Sequence, residues 1–190
     1  MVGFAVSIVV FVLLAALVLR WARADLRENG GPTTRSAVAA WLLYVLHADS
    51  VAWAAWGQMA LVGIPEGPAL VVGIVVGGLG FVLFLVSSVQ LGTRADFSQM
   101  RPTRLVTSGV YRWGRHPQNT GWALVLTGTA IGGRSLLALA LVLLFVVFAD
   151  RFVRIEDEQL AEAFGPEYER YRDATPAVPW IAAPFLRQPA

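Results

Sequence analysis

A polar, basic stretch from Thr107 to Gly121 carries the side chains of this chain that are best suited to chemistry. It reads TSGVYRWGRHPQNTG and lies in a chain that is otherwise mostly apolar. Within eight positions it holds Arg112, Arg115, His116, Pro117, Gln118 and Asn119. Guanidinium, imidazole and amide groups supply hydrogen-bond donors. Because this polar stretch lies between apolar segments, we expect it to have a function in binding or catalysis.

A second polar segment, near the C-terminus, supplies the complementary groups. It is charged, it looks helical, and it contains three consecutive acids, Glu156, Asp157 and Glu158. A zwitterionic cofactor with an amino group, a carboxylate and a ribose diol requires both donors and acceptors. Arg115 and His116 offer donors, and Glu156 and Asp157 offer acceptors. The sequence predicts that the two segments close over one site, the alternative being that their charges only fix the orientation of the chain in a membrane.

The composition indicates how these segments are held. Of the 190 residues, 56% are hydrophobic and 15% are charged, and the mean hydropathy is +0.60. A typical soluble domain is about 25% charged. These values predict an integral membrane protein, with no nucleic-acid partner expected. The absence of cysteine excludes disulfides, thiolate metal sites and a cysteine nucleophile, and two histidines are too few for a histidine-rich metal cage.

Long apolar runs predict an all-α fold with about five transmembrane helices. The first run is followed by arginines and not preceded by them, which is the reverse of a signal peptide. The predicted spans are residues 2–19, 37–63 and 69–91, and then a helical hairpin with arms at 122–131 and 136–148. The chain is thus a single membrane domain with four parts: three N-terminal spans (1–91), a cofactor loop (92–121), the hairpin (122–150) and a C-terminal cofactor-capping segment (151–190).

The arginines predict the orientation. The chain has no lysine, and fourteen of its fifteen arginines lie at positions 20–35, 94–115 and 151–187, on one side of a five-span arrangement. Arg134, at the tip of the hairpin, falls on the other side. The positive-inside rule places the fourteen in the cytoplasm, with the N-terminus outside and the C-terminus and site inside. Trp180 and Phe185 suit a membrane interface, and a bacterial plasma membrane is the expected location.

The polar stretch also carries a family signature. The run Gly109-Val-Tyr111 … Arg115-His116-Pro117-x-x-x-Gly121 resembles the G-x-Y … R-H-P-x-Y-x-G signature of integral membrane methyltransferases. These are the isoprenylcysteine carboxyl methyltransferases and the related phospholipid N-methyltransferases. Asn119 stands where that signature has tyrosine.

The C-terminal segment agrees with the same family. Glu156-Asp157-x-x-Leu160 … Phe164-Gly165-x-x-Tyr168-x-x-Tyr171 resembles E-E-x-x-L … F-G-x-x-Y-x-x-Y, with aspartate in place of the second glutamate. Arg151, five positions before Glu156, matches a basic residue that the family has at that position. Gly78-Leu79-Gly80 resembles the G-x-G of the phospholipid methyltransferases. The resemblance covers about Gly73 to Pro179.

The resemblance implies S-adenosylmethionine as the cofactor, wrapped by the loop and the C-terminal helix. It implies a lipophilic substrate that enters from the bilayer. The fold of the soluble methyltransferases is excluded, because no G-x-G-x-G motif follows a predicted β-strand. The implied cofactor-binding residues are Tyr111, Arg115, His116, Pro117, Asn119, Gly121, Glu156 and Asp157.

Several further residues have two readings each. Arg151 and Arg154 are predicted to be catalytic, holding an anionic group, although an arginine at the end of a span is also an ordinary anchor. His47 and Asp49 lie near the middle of the second span, where ionisable groups usually face a cavity. They are predicted to line a substrate cavity together with Trp53, for which lipid contact or anchoring at the membrane interface is the alternative. Gly78 and Gly80 are expected to pack against another helix and not to touch cofactor.

The type of nucleophile decides what else the site needs. Methyl transfer from a sulfonium is an in-line displacement, and most of the rate gain is positional. A carboxylate is already ionised at neutral pH, whereas an ammonium group must first lose a proton to a base. The sequence shows no dedicated base beyond the residues assigned to the cofactor. The prediction is therefore methyl transfer to a carboxylate or thiol on a lipophilic carrier. The alternatives are a phosphatidylethanolamine-type N-methyltransferase and a non-catalytic membrane scaffold that retains the fold.

Overall fold

A computed structural model describes residues 2–57, 61–92, 102 and 104–178, with side chains from residue 8 onwards. The described chain is all-α, as predicted. Its elements are α1 (Val2–Asn29), α2 (Thr34–Trp56), α3 (Glu66–Leu91), a short 3-10 helix (Gly109–Arg112), α4 (Pro117–Gly132), α5 (Leu136–Phe164) and α6 (Pro166–Ala174). The predictions for residues 93–101, for Trp180 and for Phe185 lie outside the described residues.

Three of these helices, α2, α3 and α5, are long and apolar enough to cross a membrane, with mean hydropathies of 1.3, 2.8 and 2.5. The prediction of an integral membrane protein is confirmed. Helix α4 has 16 residues, so its length of about 24 Å is less than the hydrocarbon core of about 30 Å. The number of spans, predicted as about five, stays a prediction.

Helices α4 and α5 form the predicted hairpin, but α5 is longer than its apolar arm. It runs without interruption from Leu136 to Phe164, because no glycine or proline interrupts it before Gly165. The predicted boundary at residue 150 therefore lies inside one helix. Gly165 has a φ of 52°, which favours glycine, and Pro166 then begins α6.

Two apolar clusters hold the bundle together. In one, α2, α4 and α5 meet around Val51, Leu126 and Phe145. In the other, α1 packs on α2 and α5, with Phe11 and Leu43 in the centre. Burying one such side chain contributes about 1.5–3 kcal/mol in water. In a membrane, however, the packing contacts themselves are the main source of helix association.

Helix α3 packs on α4 through glycine. A methyl group added at Gly80 would lie 2.7 Å from the carbonyl oxygen of Gly121, and one added at Gly128 would lie 2.5 Å from that of Gly73. The two backbones are thus in direct contact, as small residues permit. By contrast, Gly78 faces open space. The expectation that Gly78 and Gly80 pack against another helix is met at Gly80 and not at Gly78. The other face of α3 exposes large apolar side chains.

The described arginines separate between the two ends of the bundle. At one end the α2–α3 and α4–α5 turns are joined, since Val62 N donates to Arg134 O at 2.8 Å and Arg134 lies 3.5 Å from Glu66. At the other end, the C-terminal part of α1 packs on Ile155 of α5. The remaining described arginines belong to that second end, which is the distribution the sequence predicts. Which end faces the cytoplasm stays a prediction.

Candidate active site

The N-terminus of α4 and the polar part of α5 meet at His116. This histidine caps α4 and is 4% exposed. Its Nε2 lies 2.8 Å from Asp157 Oδ1, and its Nδ1 lies 3.1 Å from Glu156 Oε2. The first contact is a hydrogen bond, whereas the second is close enough for ion-pair attraction but is not aligned for a hydrogen bond. The two segments predicted to close over one site are therefore in direct contact.

Both ring nitrogens of His116 face carboxylates, and this determines its charge. Burial lowers the pKa of the ring, but the adjacent Glu156 and Asp157 carboxylates outweigh burial and raise it to about 9. His116 is therefore protonated at neutral pH. A protonated imidazole donates from both nitrogens and cannot accept a proton, so His116 is not a general base there.

Arg115 fastens the C-terminal segment over this cluster. Its Nη2 donates to Asp157 Oδ2 at 2.9 Å, and its Nη1 donates to the carbonyl oxygens of Arg172 at 3.1 Å and Thr175 at 2.6 Å. The backbone N–H of Arg115 donates to Pro176 O at 2.9 Å. One side chain thus joins the loop, α5 and the end of α6.

Three tyrosines complete the closure. Tyr168 donates its hydroxyl to Asp157, and Tyr171 donates to the carbonyl oxygen of Tyr111 at 2.6 Å. Tyr111 in turn donates to Ser87 O, at the end of α3, at 3.3 Å. Burial raises the pKa of both Tyr168 and Tyr171, so their phenols stay protonated donors. The spacing of Tyr168 and Tyr171 belongs to the motif quoted above, which could have identified them as part of the site.

A polar cleft opens beside this cluster, and it encloses about 660 Å³ including its mouth. Its apolar walls include Leu91, Val106 and Leu160. Its polar lining consists of Arg104, Tyr111, Arg115, His116, Gln118, Asn119, Glu156, Gln159 and Tyr171. Two buried polar atoms in this lining have no hydrogen-bond partner among the described residues, namely Glu156 Oε2 and Arg115 Nε. Because such atoms are costly to leave unpaired, the cleft is suited to a polar ligand.

A second cavity, the apolar groove, lies between α4 and α5 and encloses about 940 Å³ including its mouth. Its walls are mostly apolar, with His116 and Asn119 at one end and Thr120, Thr127 and Asp150 as the other polar residues. The lining consists of His116, Asn119, Thr120, Ala123, Leu124, Thr127, Phe145, Val146, Ala149, Asp150, Val153, Ala177 and Val178. His116 and Asn119 line both cavities. The polar cleft and the apolar groove therefore meet at these two side chains.

The remaining cofactor-binding predictions divide between the cleft and the helix packing. Pro117 lines the cleft and is the first residue of α4, where a missing N–H costs nothing. Asn119, two positions further along the helix, also lines the cleft. Gly121 is instead at the crossing with α3, where an added methyl group would lie 2.7 Å from Gly80 O. Its backbone makes a helix contact, and it is not among the residues that line the cleft.

Arg151 and Arg154, predicted to be catalytic, lie outside both cavities. Their side chains are 61% and 65% exposed. Arg154 Nε donates to Asp150 Oδ2 at 3.1 Å, and its Nη2 donates to Oδ1 at 3.3 Å. Arg151 Nε is 3.5 Å from the same carboxylate. Since Asp150 lines the groove, Arg154 is bound at its edge.

The three residues predicted to line a substrate cavity are not brought to the cleft. His47 is buried between the rings of Phe11 and Phe145, with Nε2 3.0 Å from Leu141 O. Asp49 and Trp53 line a separate cavity between α1 and α2. That cavity shares no lining residue with the polar cleft or the apolar groove.

Comparisons with known proteins cover the part of the chain that contains the site. A family model described as phospholipid methyltransferase matches residues 68–167, just over half of the chain. Protein-S-isoprenylcysteine O-methyltransferase of Saccharomyces cerevisiae is 35% identical over 84 residues, which are 43% of this chain and 33% of that protein. The match thus spans about a third of the length of this relative. No solved structure matches the chain.

Proposed function

The chain belongs to the phospholipid methyltransferase family, and we propose that it transfers a methyl group from S-adenosylmethionine to the carboxylate or thiol of a lipophilic molecule. The observation that carries this proposal is the meeting of the polar cleft and the apolar groove at His116 and Asn119. A polar cofactor and a membrane-soluble acceptor need two different environments. The methyl group of the cofactor and the reactive group of the acceptor must also come into contact, and His116 and Asn119 lie where the two cavities adjoin.

The polar cleft fits S-adenosylmethionine in its chemistry. The buried Oε2 of Glu156, which is ion-paired with His116 but accepts no hydrogen bond, is an acceptor for an ammonium or hydroxyl group of the ligand, and Arg115 Nε is a donor for a carboxylate. Tyr111, Asn119 and the apolar walls would hold the remainder. When bound, the cofactor supplies an electrophilic methyl group on a sulfonium. The contribution of the chain is to hold that group in line with the acceptor and to exclude water.

The apolar groove suits the acceptor. Its walls are mainly apolar side chains of α4 and α5, and its polar end is at His116. An acceptor with a hydrocarbon tail in this groove would bring its reactive head to the junction. The relative from yeast is named for an isoprenylcysteine substrate, which is a lipophilic molecule of this kind.

The charge state of His116 supports a nucleophile that is already ionised. Its pKa of about 9 leaves it protonated at neutral pH, so it cannot remove a proton from an ammonium group. A carboxylate needs no base. We further propose that Arg154, bound to Asp150 at the edge of the groove, attracts the anionic head. Arg151 makes the longer contact with that carboxylate, 3.5 Å against 3.1 Å for Arg154, and is assigned the weaker effect. The arginine-rich end of the bundle, which holds the site, would face the cytoplasm of a bacterial cell.

Cofactor binding is tested first, with S-adenosylhomocysteine and purified protein in detergent, by isothermal titration calorimetry. We expect micromolar binding, which corresponds to roughly −8 kcal/mol. Glu156→Gln should weaken it at least tenfold, because the carboxylate that would bind the ammonium group of the ligand loses its charge. Glu158→Gln is the matched control, since Glu158 is exposed and lies two positions further along the same helix. Absence of binding in folded wild-type protein would leave a membrane scaffold as the better description.

The acceptor class is tested by the chemistry of the product. Protein is incubated with membrane lipids and cofactor that carries a labelled methyl group. Label released as volatile methanol by mild base identifies a methyl ester, and base-stable label in a thioether identifies a thiol acceptor. Both results support the proposal. N-methylated phosphatidylethanolamine as the main product would contradict the acceptor class while leaving the cofactor site intact.

A further inference from the structure

We propose that Tyr44 of α2 is a positioning residue that orients Asn119 and thereby selects a carboxylate acceptor. The inference rests on the proposed function and names the substrate class of the same site. Tyr44 belongs to none of the sequence motifs. It lies 75 positions before Asn119, and its hydroxyl donates to Asn119 Oδ1 at 2.6 Å.

The ring of Tyr44 is held by aromatic neighbours. Its centroid lies 5.2 Å from that of Phe145, edge to face, 6.1 Å from Phe148 and 6.4 Å from Trp122. Aromatic pairs at these separations favour a fixed relative orientation. The hydroxyl that contacts Asn119 is therefore attached to a side chain with little freedom to move.

This hydrogen bond orients the amide of Asn119. The oxygen and nitrogen of a carboxamide point in different directions, so an oxygen bound to Tyr44 turns the NH₂ group away from it. Asn119 lines both the polar cleft and the apolar groove. Its two N–H donors are thus presented where cofactor and acceptor would meet.

Donors at this point discriminate between acceptors. A carboxylate can attack through one oxygen while the other accepts an N–H bond from Asn119. An ammonium group has three donors and no acceptor, and it gains nothing from that amide. The pair Tyr44–Asn119 therefore favours a carboxylate over an amine with the same tail.

The test uses two probes that share the same prenyl thioether tail and carry opposite charges at the head. N-acetyl-S-prenylcysteine carries a carboxylate and no amine, and S-prenylcysteamine carries an amine and no carboxylate. Their dissociation constants are measured with wild type, Tyr44→Phe and Asn119→Asp in detergent, together with the kcat and KM of methylation. S-adenosylhomocysteine affinity is measured on the same samples. Tyr44→Phe removes one oxygen and keeps the ring packing.

For Tyr44→Phe we expect affinity for the carboxylate probe to fall about tenfold, the factor that corresponds to about 1.4 kcal/mol. The amine probe and S-adenosylhomocysteine should change less than twofold. Asn119→Asp keeps an acceptor for Tyr44 but removes both N–H donors, so the preference between the two heads should shift by at least tenfold toward the amine.

Three outcomes would overturn the assignment. These are wild type that binds neither probe or prefers the amine, Tyr44→Phe with unchanged carboxylate affinity, and equal losses of probe and S-adenosylhomocysteine binding, which would indicate a structural role. Failure of the proposed function is recognised separately, because wild type would then not bind S-adenosylhomocysteine.

Discussion

His116 Nε2 lies 2.8 Å from Asp157 Oδ1, and this hydrogen bond joins the first residue before α4 to the polar half of α5. The two residues are 41 positions apart. The contact gives the site a positive charge buried between two carboxylates. Its consequences can be measured as a dependence of stability on pH.

The pH prediction follows from the raised pKa of His116. An ordinary histidine titrates near 6.5, and this one titrates at about 9 in the folded protein. The stabilisation is fully present below about pH 6.5 and is lost as the pH rises through about 9, and it amounts to on the order of 3 kcal/mol. The temperature of the thermal denaturation midpoint in detergent should therefore decrease as the pH is raised from 7 to 10.

The control for this prediction is His116→Gln, which should melt lower at pH 7 and show a flatter profile from pH 7 to pH 10. The chain has no lysine and no cysteine, and its four tyrosines, which titrate near pH 10 in an unfolded chain, contribute equally to wild type and variant. A wild-type midpoint that does not change over the interval would show that His116 is not protonated in the folded protein.

The second prediction concerns the contact between α3 and α4. Gly80→Ala should destabilise the protein by about 1–3 kcal/mol, because the added methyl group would lie 2.7 Å from Gly121 O and the two backbones would have to separate. Gly78→Ala is the matched control, since nothing lies within 4 Å of the added methyl group. Thermal denaturation of both variants in the same detergent measures the difference. Equal midpoints would contradict this packing.

The third prediction concerns Arg115 as the link to the C-terminal segment. Arg115→Ala should loosen α6, because the carbonyl oxygens of Arg172 and Thr175 lose a charged donor, worth about 1.5–3 kcal/mol. Tryptic cleavage after Arg170 and Arg172 should become at least tenfold faster. Arg112→Ala, which removes an exposed arginine from the same loop, should cleave at the wild-type rate. Slow cleavage in both variants would mean that α6 is held by other contacts.

The fourth prediction concerns the apolar groove. Ala123→Trp should fill the groove and lower acceptor methylation at least tenfold, while affinity for S-adenosylhomocysteine changes less than twofold. Val82→Trp on the exposed face of α3 is the control and should behave as wild type. Radiolabelled methyl transfer and calorimetry on the same preparations separate the two effects. Normal methylation by Ala123→Trp would show that the acceptor reaches the site by another path.

Much of the fold could be predicted from the sequence because its signals are local. Uninterrupted apolar runs predict membrane helices, and Gly132 to Ser135 marks the turn of the hairpin. The motif residues Arg115, His116 and Glu156 could be proposed together because each motif is short. Their mutual contact could be expected from the complementary donors and acceptors of the two segments and from the family resemblance.

The positions of other residues depended on how the helices pack. Gly121 lies in the motif, yet its backbone contacts α3. His47 is an ionisable group in an apolar helix, yet it packs between two aromatic rings and not at the cleft. Nothing in the sequence around Tyr44 indicates a contact with Asn119.

The sequence by itself determined that this chain is an all-helical membrane protein with two polar segments of complementary charge, since hydropathy and motif spacing are properties of short stretches. The tertiary structure decided which side chains face one another across helices. That depends on the rotation and register of each helix, and one step along a helix turns a side chain by about 100°. Tyr44, Asn119 and the junction of the two cavities follow from that register.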